Sequence, residues 1–166
     1  MDCIFCKIIA KKEKAYVVYE DKYTIAILDK NPFTEGHTVI MPKKHYSTIF
    51  DVSEEDLEKV IVLAQKLIKF YKKEFRCEGA NVLHASGDFA GQSVPHFHIH
   101  LVPRYKTDNY RNLWYRERNL CINNFLVYGR ITTSKYYKKA LGNKVNKGDQ
   151  ATANKASNKK QRNQSA

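Results

Sequence analysis

The stretch Pro95-His96-Phe97-His98-Ile99-His100-Leu101-Val102-Pro103-Arg104, PHFHIHLVPR, decides how this sequence folds. It contains three of the six histidines of the 166-residue chain, and each of the three is followed by an apolar residue. Successive side chains of a β-strand point to opposite faces, so His96, His98 and His100 are predicted to share one face. The other face receives the intervening apolar residues, Phe97, Ile99 and Leu101. We therefore expect one face of this strand in the core and the other available for chemistry.

The length and composition fit a single domain. The chain has 166 residues, of which 43% are hydrophobic, enough for a substantial core. No stretch approaches the roughly 18 to 20 apolar residues of a membrane-spanning helix. The opening MDCIFCKIIAKK is too short and too quickly charged for a signal peptide. We expect a cytoplasmic protein with no membrane contact.

The rest of the sequence predicts an α+β fold. Runs of apolar, β-branched and aromatic residues predict strands near 16–19, 24–28, 37–41 and 81–85, besides 96–102. Ser53 followed by three acidic residues is typical of a helix N-terminus, and apolar residues at helical spacing extend this helix to about Phe75. We expect a mostly antiparallel sheet of about five strands that carries one long helix.

Composition also divides the chain into a core domain at 1–105, a C-terminal arm at 106–141 and a basic tail at 142–166. The tail contains six Lys or Arg, one Asp and no aromatic residue, so it supplies +5 of the net charge of +12. Such a segment is predicted to be disordered, because it has too few apolar side chains to offset the entropy of ordering. The tail could contact nucleic acid, but no nucleic-acid module is recognisable, and a solubilising role explains the charge at least as well.

The histidine strand suggests phosphate chemistry. Imidazoles titrate near neutrality, so the three histidines could bind metal, act as nucleophiles or transfer protons. Gly91, Gln92 and Ser93 precede the strand, and exposed N–H groups in such a turn can form an anion-binding nest. Together these features predict a phosphate at the entrance to the strand and an imidazole aimed at phosphorus. A purely metal-binding cluster, or histidines satisfied within the core, is the alternative.

Cys3 and Cys6 form a second candidate site. Four cysteines in 166 residues do not suggest a disulfide framework, and the CxxC spacing is common in metal sites of reducing compartments. A redox pair is the alternative, but a thioredoxin-like CxxC follows a strand and opens a helix, whereas this motif lies at the start of the sequence. Cys77 and Cys121 are interpreted as unpaired thiols.

The segment GQSVPHFHIHLVPR resembles the signature of the histidine triad (HIT) family of nucleotide hydrolases and transferases, and is most similar to its Hint-like branch. Residues 3–9 (CIFCKII) resemble the N-terminal signature of bacterial members, and residues 36–45 (GHTVIMPKKH) resemble the family's third strand. The resemblance covers residues 3 to about 104. It implies a HIT-like fold and a homodimer in which two sheets join into one continuous sheet.

The resemblance also implies a reaction. His98 matches the nucleophile, which would attack the α-phosphorus of a nucleotide derivative and form a nucleotidyl-histidine that water then hydrolyses. His100 and His37 match the flanking histidines that contact the phosphate and help to protonate the leaving group. The implied substrates are nucleoside 5′-phosphoramidates, above all adenosine or other purine ones. The alternatives are a dinucleoside polyphosphate hydrolase and a nucleotide-binding adaptor whose hydrolysis is incidental.

Binding residues follow from the same resemblance. Ser93, with the backbone of Gly91 and Gln92, matches the phosphate-binding turn. Asp29 matches the side chain that binds both ribose hydroxyls. The apolar walls of the base pocket match three further residues, Ile4, Phe5 and Ile27.

Two features concern the metal and the leaving group. Zinc-containing members of the family have a structural zinc site of two cysteines and two histidines. The resemblance matches four residues of this chain to those ligands: Cys3, Cys6, His45 and His96. The family commonly has Asn or Gln eleven residues before His96, where this chain has Ala85. Its neighbours His84 and Ser86 could replace that amide, or the loop could be shifted.

Overall fold

The computed structural model describes residues 3–108, which contain two helices and five strands. In chain order the elements are α1 (Ile4–Ile9), β1 (Val17–Glu20), β2 (Thr24–Leu28), β3 (Thr38–Pro42), α2 (Glu54–Phe75), β4 (Gly79–Leu83) and β5 (Ile99–Arg104). A single 3₁₀ turn, Asp88–Ala90, lies in the loop between β4 and β5.

All five strands belong to one antiparallel sheet with the order β1-β2-β3-β5-β4. Strand β5 therefore lies between β3 and β4, with Val39 opposite His100 on one side and Leu83 opposite His100 on the other. The predicted α+β fold is confirmed. The histidine strand is internal to the sheet, so hydrogen bonds on both sides fix its position.

Helix α2 covers one face of the sheet. The Ser53 side chain accepts a hydrogen bond from the Asp56 N–H (3.3 Å), which caps the first turn as the sequence predicts. The helix ends before Arg76, whose left-handed backbone (φ 56°) cannot continue it. Its apolar stripe packs in one buried cluster with three residues of the histidine stretch, Phe97, Ile99 and Leu101. The core face of this stretch is therefore as predicted.

The opposite face is covered by α1, a helix that the sequence analysis did not predict. Cys3 is its N-cap residue, so the CxxC motif does open a helix. Phe5 packs in a second buried cluster with residues of β2 and β3, Ile25, Ile27, Val39 and Met41. Every residue of β2 and β3 is buried, because apolar groups cover the sheet on both sides. The face carrying the histidines is thus partly enclosed rather than open.

The histidine strand begins later than predicted, at Ile99 instead of His96. The His96 N–H donates to the Val94 carbonyl oxygen (2.8 Å), and the Phe97 N–H donates to the Tyr46 carbonyl oxygen (2.6 Å). These backbone groups therefore do not take part in the hydrogen-bond ladder of the sheet. Strand β4 ends at Leu83, two residues before its predicted end. Only His100 of the three histidines lies within the strand itself, although the alternation of faces continues back to His96.

Some predictions fall on residues beyond this range. The tail at 142–166, Cys121 and nearly all of the arm at 106–141 lie outside the described residues. Cys77 is buried with a free thiol, as interpreted. Within residues 3–108, neither helix has the length and apolar character needed to cross a membrane.

Candidate active site and metal cluster

The ring of His98 is held in one tautomer by the backbone. Its Nδ1 lies 2.6 Å from the His96 carbonyl oxygen. A carbonyl oxygen only accepts, so Nδ1 carries the proton and donates it. Burial lowers the pKa of His98 to about 4, so the ring is neutral at pH 7. A neutral ring protonated at Nδ1 has its lone pair on Nε2, which makes this atom a nucleophile.

His37 and His100 form a hydrogen-bonded pair beside His98. The Phe33 N–H donates to Nδ1 of His37 (3.1 Å), so the proton of this ring is on Nε2. That nitrogen lies 2.9 Å from Nδ1 of His100, which therefore accepts the proton. A neutral His100 then carries its own proton on Nε2. The rings of His98 and His100 are 5.1 Å apart between centroids, so a nucleophile and a proton donor are neighbours.

Asp29 completes this cluster. Its Oδ2 lies 3.3 Å from Nδ1 of His100 and 3.6 Å from Nε2 of His37, and its Oδ1 accepts a hydrogen bond from the Asn31 N–H (2.7 Å). Burial raises the pKa of Asp29, but hydrogen bonding and charge from the protonated forms of His100 and His37, together with this N–H, stabilise the carboxylate more, so the pKa is lowered overall. The carboxylate is ionised at neutral pH and adds negative charge behind the histidine pair.

Asp29, His37 and His100 have the residue types of a metal site, but the hydrogen bonds argue against one. A histidine binds metal through an unprotonated nitrogen. Because Nδ1 of His37 accepts the Phe33 N–H, its Nε2 must keep a proton and cannot bind metal. The cluster is therefore a hydrogen-bonded one, suited to proton transfer.

The loop before the histidine segment differs from the predicted anion nest. The Gly91 N–H donates to the Asp88 carbonyl oxygen (2.9 Å) and the Gln92 N–H to the Gly87 carbonyl oxygen (3.2 Å), so both are already used. This corrects the prediction that these two N–H groups are available to an anion. Ser93 is exposed, and neither its N–H nor its hydroxyl has a hydrogen-bond partner among residues 3–108. Ser93 therefore remains the donor of this turn that is open to an anion.

The Gln92 side chain holds this loop in place. Its Oε1 accepts a hydrogen bond from the Gly87 N–H (2.7 Å), and its Nε2 donates to the carbonyl oxygens of Ser47 (2.7 Å) and Val94 (2.9 Å). The loop that carries Ser93 is thus tied to the segment after β3. Gln92 acts on the site through this bracing.

Two of the three residues matched to the base pocket are buried, and the third is exposed. The edge of the Phe5 ring meets the His98 ring, with centroids 5.1 Å apart, and Ile27 is buried in the same cluster as Phe5. Ile4 is 39% exposed on α1 and is not part of that cluster. Phe5 and Ile27 therefore form an apolar wall next to the triad, whereas Ile4 faces solvent.

The residues matched to the metal site converge in space. The donor atoms of Cys3, Cys6, His45 and His96 all lie within 4.8 Å of one another. Nδ1 of His96 is 3.6 Å from each of the two sulfurs and 3.3 Å from Nδ1 of His45, which in turn is 3.3 Å from the Cys6 sulfur. Tetrahedral zinc with ordinary bond lengths separates sulfur from nitrogen by about 3.6 Å and two nitrogens by about 3.3 Å. The geometry therefore fits a tetrahedral metal ion.

The surroundings of His96 favour metal binding. Its Nε2 lies 3.0 Å from the Pro42 carbonyl oxygen, so Nε2 carries the proton and Nδ1 is free to bind a metal. Burial lowers the pKa of His96, which keeps the ring in the neutral form that binds metal. The carbonyl of this residue holds the proton of His98, so the metal cluster and the nucleophile share one backbone unit.

His84, which the sequence analysis named only as a possible replacement for the family's amide, contacts the triad directly. Its Nδ1 lies 2.7 Å from the His98 carbonyl oxygen, and its Nε2 lies 2.6 Å from the Ser86 hydroxyl, which accepts the Ile49 N–H (2.8 Å). Both neighbours of Ala85 are thus engaged, and the suggestion that either replaces the family's amide is not supported. The signal in the sequence was a histidine near the end of the strand predicted at 81–85.

Comparisons with known proteins identify the family of this chain. Residues 10–107 match the family model described as HIT domain. "Protein hit" of Bacillus subtilis (strain 168) is 39% identical over 114 residues, covering 68% of this chain and 79% of that protein. "Adenosine 5'-monophosphoramidase HNT1" of Saccharomyces cerevisiae is 39% identical over 102 residues, covering 61% of this chain and 62% of that protein.

A solved structure of a zinc-bound protein has a similar fold. The crystal structure of a Zn-bound histidine triad family protein from Mycobacterium smegmatis aligns with a TM-score of 0.67 and 29% identity, covering 80% of this chain and 94% of that one. Family model, curated relatives and solved structure thus point to one family. The chain belongs to the HIT family.

Proposed function

We propose that this HIT-family hydrolase cleaves nucleoside 5′-phosphoramidates, adenosine ones above all, at the α-phosphorus. The observation that carries the proposal is the tautomer of His98, whose Nδ1–H donates to the His96 carbonyl and leaves Nε2 as a neutral nucleophile. The yeast relative named as an adenosine 5′-monophosphoramidase supports the substrate class.

In the first step, Nε2 of His98 attacks the α-phosphorus and forms a P–N bond as the P–N bond to the leaving amine breaks. The leaving nitrogen takes a proton from Nε2 of His100, which donates it from the protonated form of the His37–His100 pair. In the second step, water attacks the nucleotidyl-histidine and releases the nucleoside monophosphate and the free imidazole. The Asp29 carboxylate stabilises the positive charge that the pair carries before the transfer to the leaving nitrogen, and a proton of the attacking water restores that charge in the second step.

The substrate is proposed to bind across the face that carries the triad. The Ser93 hydroxyl and N–H would donate to the α-phosphate oxygens, where charge increases in the transition state. The Asp29 carboxylate would accept from the ribose hydroxyls, and Phe5 and Ile27, with Ile4 at the exposed end, would contact the base. An apolar wall with a few polar groups is typical of nucleotide sites.

We further propose that Cys3, Cys6, His45 and His96 hold a structural zinc ion. The donor set and the distances fit tetrahedral zinc, and four protein ligands leave no open position for a substrate. Zinc in such a site supplies folding free energy rather than Lewis-acid chemistry. His96 would couple the site to catalysis, because its carbonyl accepts the Nδ1 proton of His98.

The proposed assembly is a homodimer. Strand β4 is at the edge of the sheet and exposes Val82 (51%), and α2 exposes Ile61 (46%) and Val62 (41%). An open edge strand with an apolar side chain can pair with another chain. These surfaces support pairing between two copies of the protein.

The decisive experiment measures turnover of adenosine 5′-phosphoramidate by the full-length protein and by His98→Ala. We expect the variant to lose at least about a thousandfold in kcat, because the covalent step disappears. Mass spectrometry of the acid-quenched wild type should show one adenylyl group on His98, and circular dichroism should show the same fold in both proteins.

Retained turnover in the folded variant, or an adduct on another residue, would contradict the proposal. Diadenosine polyphosphate as a second substrate tests the leaving group, and faster turnover of it would favour the polyphosphate hydrolase. Removal of residues 142–166 tests the adaptor role. If the protein is an adaptor, the truncated protein should keep the phosphoramidate turnover of the full-length protein but lose its function in the cell.

A further inference from the structure

The carbonyl group of His98 lies just beyond the β4–β5 ladder. The last pair of that ladder is Leu83 with His100, and continuing the register would place Ala85 opposite His98. The strands separate before that point, so the ladder does not fix the His98 peptide group. The imidazole of His84 occupies this place instead, with Nδ1 2.7 Å from the His98 carbonyl oxygen.

Only one arrangement of protons satisfies this network when His84 is neutral. The His98 carbonyl only accepts, so the proton of His84 is on Nδ1, and its Nε2 accepts from the Ser86 hydroxyl at 2.6 Å. The Ser86 oxygen in turn accepts the Ile49 N–H at 2.8 Å. The His84 ring also packs against Phe97, with centroids 4.9 Å apart. The ring is therefore fixed in both position and tautomer.

We propose that His84 is a positioning residue for the nucleophile. His98 is held at two points: the His96 carbonyl accepts its ring proton, and His84 donates to its carbonyl oxygen. The two bonds together set the direction in which Nε2 of His98 approaches phosphorus. Both nitrogens of His84 are occupied, so it acts through His98 and not on the substrate. The inference rests on the proposed function and deepens it.

The test compares two substitutions of similar size. His84→Asn keeps an N–H donor near the position of Nδ1, whereas His84→Leu fills the space without a donor. We expect His84→Leu to lower kcat for adenosine 5′-phosphoramidate by about 10- to 100-fold with KM changed less than about twofold, because a small misplacement of a reacting group is costly. His84→Asn should restore kcat to within about threefold of wild type.

A second readout does not depend on activity. The ¹³C chemical shift of the His98 carbonyl, measured by NMR, reports its hydrogen bond directly. We expect this shift to move upfield in His84→Leu and to stay close to wild type in His84→Asn. If the leucine variant does not fold, His84→Gln replaces it, because its amide is one bond too far out to donate from the Nδ1 position.

The outcomes separate this inference from the proposed function. Equal kcat in the leucine and asparagine variants, or an unchanged His98 carbonyl shift in His84→Leu, would overturn the positioning role. A wild type that hydrolyses no phosphoramidate would contradict the proposed function, and the carbonyl shift would still decide whether His84 holds His98.

Discussion

At the scale of single residues, backbone groups determine which nitrogen of each histidine carries the proton. The His96 carbonyl places the proton of His98 on Nδ1, and the Phe33 N–H places that of His37 on Nε2. The chemistry of an imidazole depends on this choice, because one nitrogen donates and the other attacks or accepts. Backbone geometry therefore separates the nucleophile from the proton donor in a group of identical side chains.

Ser93 provides a prediction at this scale. It is exposed and its donors have no partner among residues 3–108, so its hydroxyl is available to an anion. We expect Ser93→Ala to lower kcat/KM for adenosine 5′-phosphoramidate by about tenfold, which corresponds to one hydrogen bond to a charged group. Steady-state kinetics will measure this.

Ser47→Ala is the matched control, since Ser47 is also exposed and contributes only its carbonyl to the loop. The prediction is wrong if both alanine variants have the kcat/KM of wild type.

The pattern of histidines predicted which residues face the site, but not what each one bonds. Alternation along the strand is a property of the local backbone, so the faces of His98 and Phe97 followed directly. The bond from His84 depends on where two strands separate, which the sequence does not encode locally. The same holds for the Gly91 and Gln92 N–H groups, whose partners depend on how the turn closes.

At the scale of elements, local signals explain which boundaries were predictable. Helix α2 has a capping serine, an acidic first turn and 22 residues of regular apolar spacing, and its predicted bounds were right. Helix α1 has only six residues and no side-chain cap, so the sequence contains neither a periodic apolar pattern nor a capping residue from which to predict it. Strand β5 begins late because the Tyr46 carbonyl binds the Phe97 N–H, which is a tertiary contact.

The junction of α1 with the segment before β5 provides a prediction on metal. We expect inductively coupled plasma mass spectrometry to find one zinc ion per chain in the wild type. Cys6→Ser should lose most of it, because the four-ligand set is broken. The thermal midpoint should fall by at least about 4 °C, since metal binds the folded state and adds to its stability.

Cys77→Ser is the control for the loss of a thiol, because Cys77 is a free buried cysteine outside the cluster. It should keep its zinc. Equal zinc content in Cys6→Ser and the wild type would contradict the assignment of Cys6 as a ligand.

At the scale of the whole molecule, the sheet brings distant parts of the chain to one strand. Strand β5 receives His37 from the segment before β3 on one side and His84 from the end of β4 on the other. Helix α1 adds Phe5 and the two cysteines from the N-terminal end of the chain. One internal strand thus organises the catalytic and metal clusters, which explains why a single short stretch identified the fold.

The proposed homodimer provides a prediction at this scale. Sedimentation velocity of the wild type should give about twice the chain mass of 19.3 kDa. Val82→Glu should shift the population toward the single-chain mass, because a charge at an edge strand opposes pairing.

Phe50→Glu is the matched control, since Phe50 is 85% exposed in the loop after β3. It should leave the mass unchanged. A wild type that sediments as a single chain at micromolar concentration would contradict the dimer.

The bracing of the loop by Gln92 has a thermodynamic consequence. The Gln92 side-chain amide accepts one hydrogen bond and donates two, and these hold the turn before any ligand arrives. Ligands that meet a preorganised surface lose less configurational freedom than ligands that must order it. Association with this turn should therefore carry a small entropic penalty, and an anion of the wrong shape finds a surface that does not adapt to it.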